Sequence, residues 1–307
     1  MLMIVLLHAN FWALGNEEPE VARLVMEQIC IVGVNVFVLI SGWFGIKPSV
    51  KGALSILYQV LFYGVLILLA GLALGLPVPA KDVFHATIGG GFYWFVPAYL
   101  GLYCLSPVLN AFIEKASFKT YTAVLAAFFI LEFAFGWATP LGSYDNGYSL
   151  ISFLGLYLLS RYLNIHCPRL KTVSAWIYFL IFALATLLPV LGSVLGPRMI
   201  GRDLEPYCYC SPFVIAASAA LLLAFSRLKI QSKAINWIAA SVFSVYLVHQ
   251  HPMVFPYFKS FMDGAYGKMN IFAYFAFAMG VALVILAVCV LVDKLRIFTW
   301  KKITQKY

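Results

Sequence analysis

The stretch Asn270-Ile-Phe-Ala-Tyr-Phe-Ala-Phe-Ala-Met-Gly-Val-Ala-Leu-Val-Ile-Leu-Ala-Val-Cys-Val-Leu-Val-Asp293 holds no charged residue between its two ends. A membrane-spanning helix needs about twenty mostly apolar residues at about 1.5 Å rise each, and this run meets that need by itself. Blocks of the same character recur along all 307 residues: 63% of the chain is apolar, 11% is charged, and the mean hydropathy is +0.93. Soluble domains carry about 25% charged and about 45–50% apolar residues. The composition therefore excludes a soluble enzyme, a disordered regulator and a collagen-like fibre. An outer-membrane barrel is excluded too, because its strands alternate apolar and polar residues over about ten positions. What is left is an all-α, polytopic integral membrane helix bundle.

Ten blocks are long or apolar enough to be spans: Leu2–Gly15, Leu24–Gly45, Ala53–Leu76, Trp94–Ile113, Thr120–Ala138, Ser149–Leu163, Val173–Val194, Cys210–Ser226, Ile235–Phe255 and Asn270–Asp293. The loops test the count, because cytoplasmic loops are rich in Lys and Arg. One alternate set of loops holds fifteen of the 21 basic residues, among them Lys47, Lys51, Arg161, Lys171, Arg227 and Lys294. The other set holds Arg23, Lys81, Arg198, Arg202, Lys259 and Lys268, together with Glu17, Glu18, Glu20, Asp82, Asp145, Asp203, Glu205 and Asp263. A miscount by one would scramble this alternation. The expectation is ten helices with both termini in the cytoplasm, forming a single membrane domain over residues 1–307. The net charge of +9 is then topological, so the bilayer is a partner and nucleic acid is not. The first block is short: about fourteen residues span about 21 Å against a core of about 30 Å. Met1 begins inside the apolar run, which suggests a native start further upstream.

The six cysteines suggest no disulfide framework. Cys208 and Cys210, separated by one residue, have a poor spacing for a mutual bridge. No His/Cys/Asp cluster has metal-ligand spacing, and no GxGxxG, Walker A, GxSxG or HExxH motif occurs. The informative residues are the polar ones inside the apolar blocks: His8, Glu27, Glu132, His249 and His251, with Asn35, Ser41 and Asn110. The predicted topology places the first five in the outer half of the membrane, and collects Lys47, Lys51, Arg161, Arg169, Lys171, Arg227 and Lys229 at the inner face. That layout suits an anionic cytoplasmic molecule meeting a neutral polar one across the membrane. Each residue also has a structural explanation. A membrane His can bond one carbonyl, a terminal Glu can reach to the interface, and positive-inside bias alone makes a basic rim. His249 and His251 point in different directions on a helix, unless Pro252 ends it there.

Three strings then resemble the acyltransferase family 3 membrane proteins. Val34-Asn-Val-Phe-Val-Leu-Ile-Ser41-Gly42-Trp43-Phe44 is similar to that family's second-helix signature. Tyr93-Trp94-Phe-Val-Pro97-Ala-Tyr99-Leu100-Gly-Leu-Tyr103-Cys-Leu-Ser106-Pro107 resembles its Trp-Phe-x-x-Ala block ending in Tyr-x-x-Ser-Pro. Ser244-Val-Tyr246-Leu-Val-His249 resembles its late Tyr-Leu-x-His motif, and His8 stands where the family keeps a first-helix histidine. The resemblance covers nearly the whole chain. It implies an O-acyltransferase of the bacterial cytoplasmic (inner) membrane. Such an enzyme moves acetyl from cytoplasmic acetyl-CoA to a sugar hydroxyl of a surface polysaccharide or lipid-linked glycan. There are departures. No basic residue precedes His8, and the positions where a subset of the family has adjacent glutamates hold Tyr99 and Leu100, which fits the stand-alone type. The basic pair after the Ser-Gly motif is present only as Lys47 and Lys51.

Acyl transfer from a thioester needs a base for the attacking hydroxyl, stabilisation of the oxyanion and a held donor. Histidine suits the first role, so His8 is the expected general base, with Glu27 or Asn35 fixing its tautomer as Asp does in a serine-protease triad. Lys47 and Lys51 are expected to hold the coenzyme's phosphates, with Ser41 on the donor side. Ser41-Gly42 also permits close helix packing. Trp94, Tyr103, Glu132 and His249 are assigned to the acceptor. For Tyr93 and Trp94 an interfacial aromatic belt is the favoured alternative. No bound cofactor or metal is expected, only acetyl-CoA as donor, in a direct ternary mechanism. The rival is a polysaccharide or small-solute transporter that uses the same His and Glu residues as a proton relay.

Overall fold

A computed structural model describes residues 1–10, 21–78, 83–84, 93–139, 144–200, 207–266 and 268–304, without the side chains of 196–200. Among the described residues there are helices and turns and no strand. The helices are α1 (Leu2–Ala9), α2 (Val21–Phe44), α3 (Val50–Ala73), α4 (Phe95–Lys115), α5 (Phe118–Glu132), α6 (Leu150–His166), α7 (Ala175–Ile200), α8 (Pro212–Ser226), α9 (Lys233–Ala239), α10 (Val242–His249), α11 (Phe255–Tyr266) and α12 (Ile271–Thr304). A π-helix over Phe133–Ala138 continues α5. Six helical stretches among the described residues are long and apolar enough to cross a membrane: α2, α3, α4, Phe118–Ala138, Ala175–Leu195 and α12. The protein is an all-α polytopic membrane protein.

Three predicted spans take another form. The block Ile235–Phe255 is not one helix. It breaks at Ala240–Ser241 and ends at His249. The Ser241 amide bonds Ile238 O, which leaves the Trp237 carbonyl without its helical donor, and Lys294 Nζ of α12 takes that carbonyl at 2.6 Å and Ser241 Oγ at 2.9 Å. A helix break at membrane depth is tolerated where side chains satisfy the freed backbone groups in this way. The last block runs on past Asp293 to Thr304. Arg296, counted as a loop cation, is buried and forms a two-point ion pair with buried Asp293 at 2.6 and 3.0 Å. The Tyr63 hydroxyl of α3 donates to the same carboxylate at 3.1 Å. Arg23, also counted in a loop, lies buried in the first turn of α2, which starts earlier than the apolar run. Of the first block only Leu2–Asn10 lies within the described residues.

The chain forms two compact units. One comprises Met1–Ala9, Ser49–Pro97 and Gln231–Tyr307, the other Asn10–Pro48 and Ala98–Ile230. In the first unit α12 packs against α1, α3, α10 and α11. Its buried face is narrow at Ala278 and Ala282, with Tyr274 one turn before them. In the second unit α2 is central and packs against α6, α7 and α8. Gly42 explains how closely α2 meets α6: a Cβ there would stand 2.8 Å from the Tyr157 carbonyl oxygen and 2.9 Å from Ser160 Cβ. Close approach through small residues is the usual packing device of membrane helices.

Pro107 sits inside α4 and cannot donate to the Tyr103 carbonyl four residues back. The Ser106 hydroxyl donates to that carbonyl instead, at 2.7 Å. Gly42→Ala should lower stability by about 1–3 kcal/mol through overpacking. Gly280→Ala, where a Cβ meets nothing within 4 Å, should change it by no more than about 0.5 kcal/mol. Thermal unfolding in a neutral detergent compares the two.

Candidate active site

In the first unit the last residue of α10 meets α1. His8 Nδ1 and His249 Nε2 are 2.8 Å apart, with ring centroids at 5.1 Å. Pro252 follows the end of α10 and disfavours helical continuation, so His249 becomes the terminal helical residue. The second nitrogen of His249 is engaged as well: Nδ1 lies 2.5 Å from the Val245 carbonyl oxygen. A carbonyl only accepts, so Nδ1 carries the hydrogen. In a neutral ring Nε2 is then the acceptor, and His8 must donate to it from Nδ1. The Val245 carbonyl thus sets two tautomers in series and leaves the lone pair of the neutral His8 on Nε2. His8 is only partly buried, whereas His249 is buried. Phe255 stands edge-on to His8 at 6.1 Å, and Phe258 contacts His249 at the same centroid distance.

Two tyrosines hold this pair in place. Tyr93 is buried, and its hydroxyl donates to the Leu247 carbonyl at 2.7 Å, which corrects its assignment to an interfacial belt. Leu247 has lost its helical donor, because the His251 amide bonds Val248 instead. Tyr274 of α12 donates to the Ala9 carbonyl at the end of α1. His251 points elsewhere: its Nδ1 accepts from the Met253 amide at 3.2 Å and its ring lies 6.4 Å from that of Tyr93. Trp94 is partly buried against Phe95.

The second unit holds the remaining intramembrane polar groups. Glu27 is 2% exposed and accepts from Asn10 Nδ2 at 3.1 Å, and Asn10 also donates to the Arg23 carbonyl at 2.9 Å. Arg23, one turn before Glu27, acts on the carboxylate through its charge. Asn35 donates to the Tyr209 carbonyl at 2.8 Å. The partner at His8 Nδ1 is therefore His249, while Glu27 and Asn35, the two expected orienting groups, are bonded to Asn10 and Tyr209. Glu132 is 0% exposed, at the junction of α5 and the π-helix, and the Ser152 side chain of α6 is the polar group that acts on its carboxylate.

The donor-side candidates differ in exposure. Ser41 bonds the Phe37 carbonyl at 3.2 Å and the Tyr99 hydroxyl at 3.0 Å. Lys47 and Lys51 are exposed. Tyr103 is partly buried. Asn10 and Tyr274 were not singled out from the sequence, and Tyr93 was offered a sugar face or the interfacial belt, not a backbone carbonyl. A tyrosine or asparagine that bonds a distant carbonyl carries no local pattern. Among the described residues, no group of three or more His, Cys, Asp or Glu is placed to hold a metal.

The protein is thus a membrane helix bundle in which two histidines from separate helices are hydrogen-bonded to each other. The chain belongs to the acyltransferase 3 family, whose acyltransferase domain it matches over residues 1–293. It is a membrane acyltransferase. No curated protein and no solved structure gives a significant match. Asn10→Leu should destabilise the protein by about 1–3 kcal/mol, because Glu27 and the Arg23 carbonyl both lose a donor in a buried place. Denaturation with and without the substitution measures this, and an unchanged midpoint would mean water replaces the amide.

Proposed function

We propose that the protein is an O-acyltransferase that moves acetyl from acetyl-CoA to a sugar hydroxyl of a surface polysaccharide or lipid-linked glycan. On this reading it lies in the cytoplasmic (inner) membrane of a bacterium with both termini inside. The observation that carries the reading is the His8–His249 hydrogen bond in a chain of acyltransferase family.

His8 Nε2 accepts the acceptor's hydroxyl proton as its oxygen attacks the thioester carbonyl carbon and the new C–O bond forms. The imidazolium is stabilised by its Nδ1–H bond to His249, whose acceptor nitrogen is held in place by the Val245 carbonyl. When the tetrahedral intermediate collapses, the C–S bond breaks and the proton passes from His8 to the departing thiolate. The neutral pair is restored and no acyl-enzyme is needed. His249 thereby takes the orienting role offered to Glu27 or Asn35. Trp94, Tyr103 and Glu132 remain assigned to the acceptor, and Ser41, Lys47 and Lys51 to the donor.

Transfer of labelled acetyl from acetyl-CoA to native glycolipid in membrane vesicles tests the reading. His8→Ala should reduce the rate by about 10²–10⁴-fold, the ordinary worth of a positioned general base. His249→Ala should reduce it less, with folding retained. A base must be neutral, so the rate should fall once the pH is low enough to protonate the pair. Absence of transfer by the folded wild type would instead favour a proton-relaying carrier.

A further inference from the structure

The end of α2 in the second unit is built to unusual tightness. The helix stops at Phe44, and Gly45 follows at φ 76°, the left-handed conformation glycine adopts without strain. The Gly45 amide closes back on the Ser41 and Gly42 carbonyls at 3.0 and 3.1 Å. The next residue is clamped on both sides. The Ile46 amide donates to the Tyr157 hydroxyl at 3.1 Å, that hydroxyl donates to Asn110 Oδ1 at 2.7 Å, and Asn110 Nδ2 donates to the Ile46 carbonyl at 3.0 Å. The main chain at 45–46 is therefore held by α4 and α6 together.

Against this clamp lies Arg161 of α6. A Cβ built on Gly45 would stand 3.3 Å from its Nη1, 3.5 Å from Cζ and 3.9 Å from Nε. The guanidinium thus packs on the bare glycine backbone. Its Nε is buried and has no hydrogen-bond partner among the described residues. It has no ion pair among them either: the pair they form is Asp293–Arg296, and Glu114, near the end of α4, is exposed. Arginine stays charged at any working pH, and a partly withdrawn cation with an unmade bond is costly. Capping α2 does not account for it. Of the last four α2 carbonyls, that of Trp43 is taken by Asn164 Nδ2 at 2.7 Å and those of Ser41 and Gly42 by the Gly45 amide, and no Arg161 bond to the fourth, Phe44, is present among the described residues. More positive charge is close by: Lys171 Nζ bonds Asn164 Oδ1 at 2.6 Å and sits 5.5 Å from the centre of the Trp43 ring, and exposed Lys47 follows Gly45 by two residues.

We propose that Arg161, seated on Gly45, with Lys47 two residues further along the chain and Lys171 against Trp43, is a phosphate-binding site, and that its ligand is a phosphate of the nucleotide part of the thioester donor. The donor assignment rests on the function proposed above. The fork geometry of arginine matches phosphate oxygens, and the bare Gly45 backbone is what lets the guanidinium sit against this clamp. A lipid headgroup phosphate offers the same chemistry from another source, so the test must separate the two.

Binding of coenzyme A and of pantetheine, which has the thiol arm without phosphates, is measured on the full chain in zwitterionic lipid nanodiscs. Wild type should bind coenzyme A more tightly than pantetheine. Arg161→Gln should weaken coenzyme A by about tenfold or more and leave pantetheine unchanged, with Arg161→Lys between. If the Gln variant does not fold, the Lys variant carries the test through the ratio of the two ligands. Unchanged coenzyme A affinity in Arg161→Gln overturns the proposal. Loss of retained anionic lipid in that variant, seen by native mass spectrometry with coenzyme A binding intact, assigns the site to a headgroup and also overturns it. Acetyl transfer separates the two levels: active wild type with an unchanged donor KM in Arg161→Gln removes the site alone, whereas wild type that neither binds coenzyme A nor transfers acetyl removes the donor reading as well.

Discussion

The carbonyl oxygens of a helix's last turn have no amide to accept from, and where they are buried they have no water either. This chain repeatedly answers that constraint with a side chain from another element. Tyr274 takes the Ala9 carbonyl at the end of α1, and Tyr93 takes Leu247 at the end of α10. Lys294 takes Trp237 at the break between α9 and α10, and Asn164 takes Trp43 at the end of α2. Within α4 the Ser106 hydroxyl replaces the donor that Pro107 lacks. Each such bond also joins elements or stiffens one, so the demand for satisfied carbonyls orders the packing within each unit.

The histidine pair is an outcome of the same demand. His249 ends α10, and the helix's own Val245 carbonyl captures its Nδ1. One acceptor decides which nitrogen of His249 bears hydrogen, which decides the donor in the bond from His8. On the function proposed here, a base whose tautomer is set by packing need not reorganise as the proton arrives, which is how preorganised sites lower barriers. Asn35 and Asn10, by contrast, spend their donors on the backbone, and Asn10 on Glu27 as well.

Buried charge is treated differently in different places. Asp293 receives Arg296 at both oxygens and the Tyr63 hydroxyl too, so it is a structural tie between α12 and α3. Arg161 keeps its buried Nε without a hydrogen-bond partner among the described residues. Satisfied networks rigidify, whereas a buried group left short of bonds is costly.

Apolar block length and the loop charges determined the membrane class, the positions of most helices and the short list of intramembrane polar residues, because both are sums over many residues and tolerate local error. Close packing at Gly42 was legible too, since a glycine beside Ser41 in a helical run has few other uses. The breaks at Ala240–Ser241 and after His249 were not, because the apolar pattern continues through them and the groups that permit them, Lys294 and Tyr93, lie far away in sequence. For the same reason His8 was singled out as a base while its partner was not. Whether His249, Glu27 or Asn35 reaches a given nitrogen depends on where separate helices are brought together and on which donors the backbone has already claimed, and only the tertiary structure decides that.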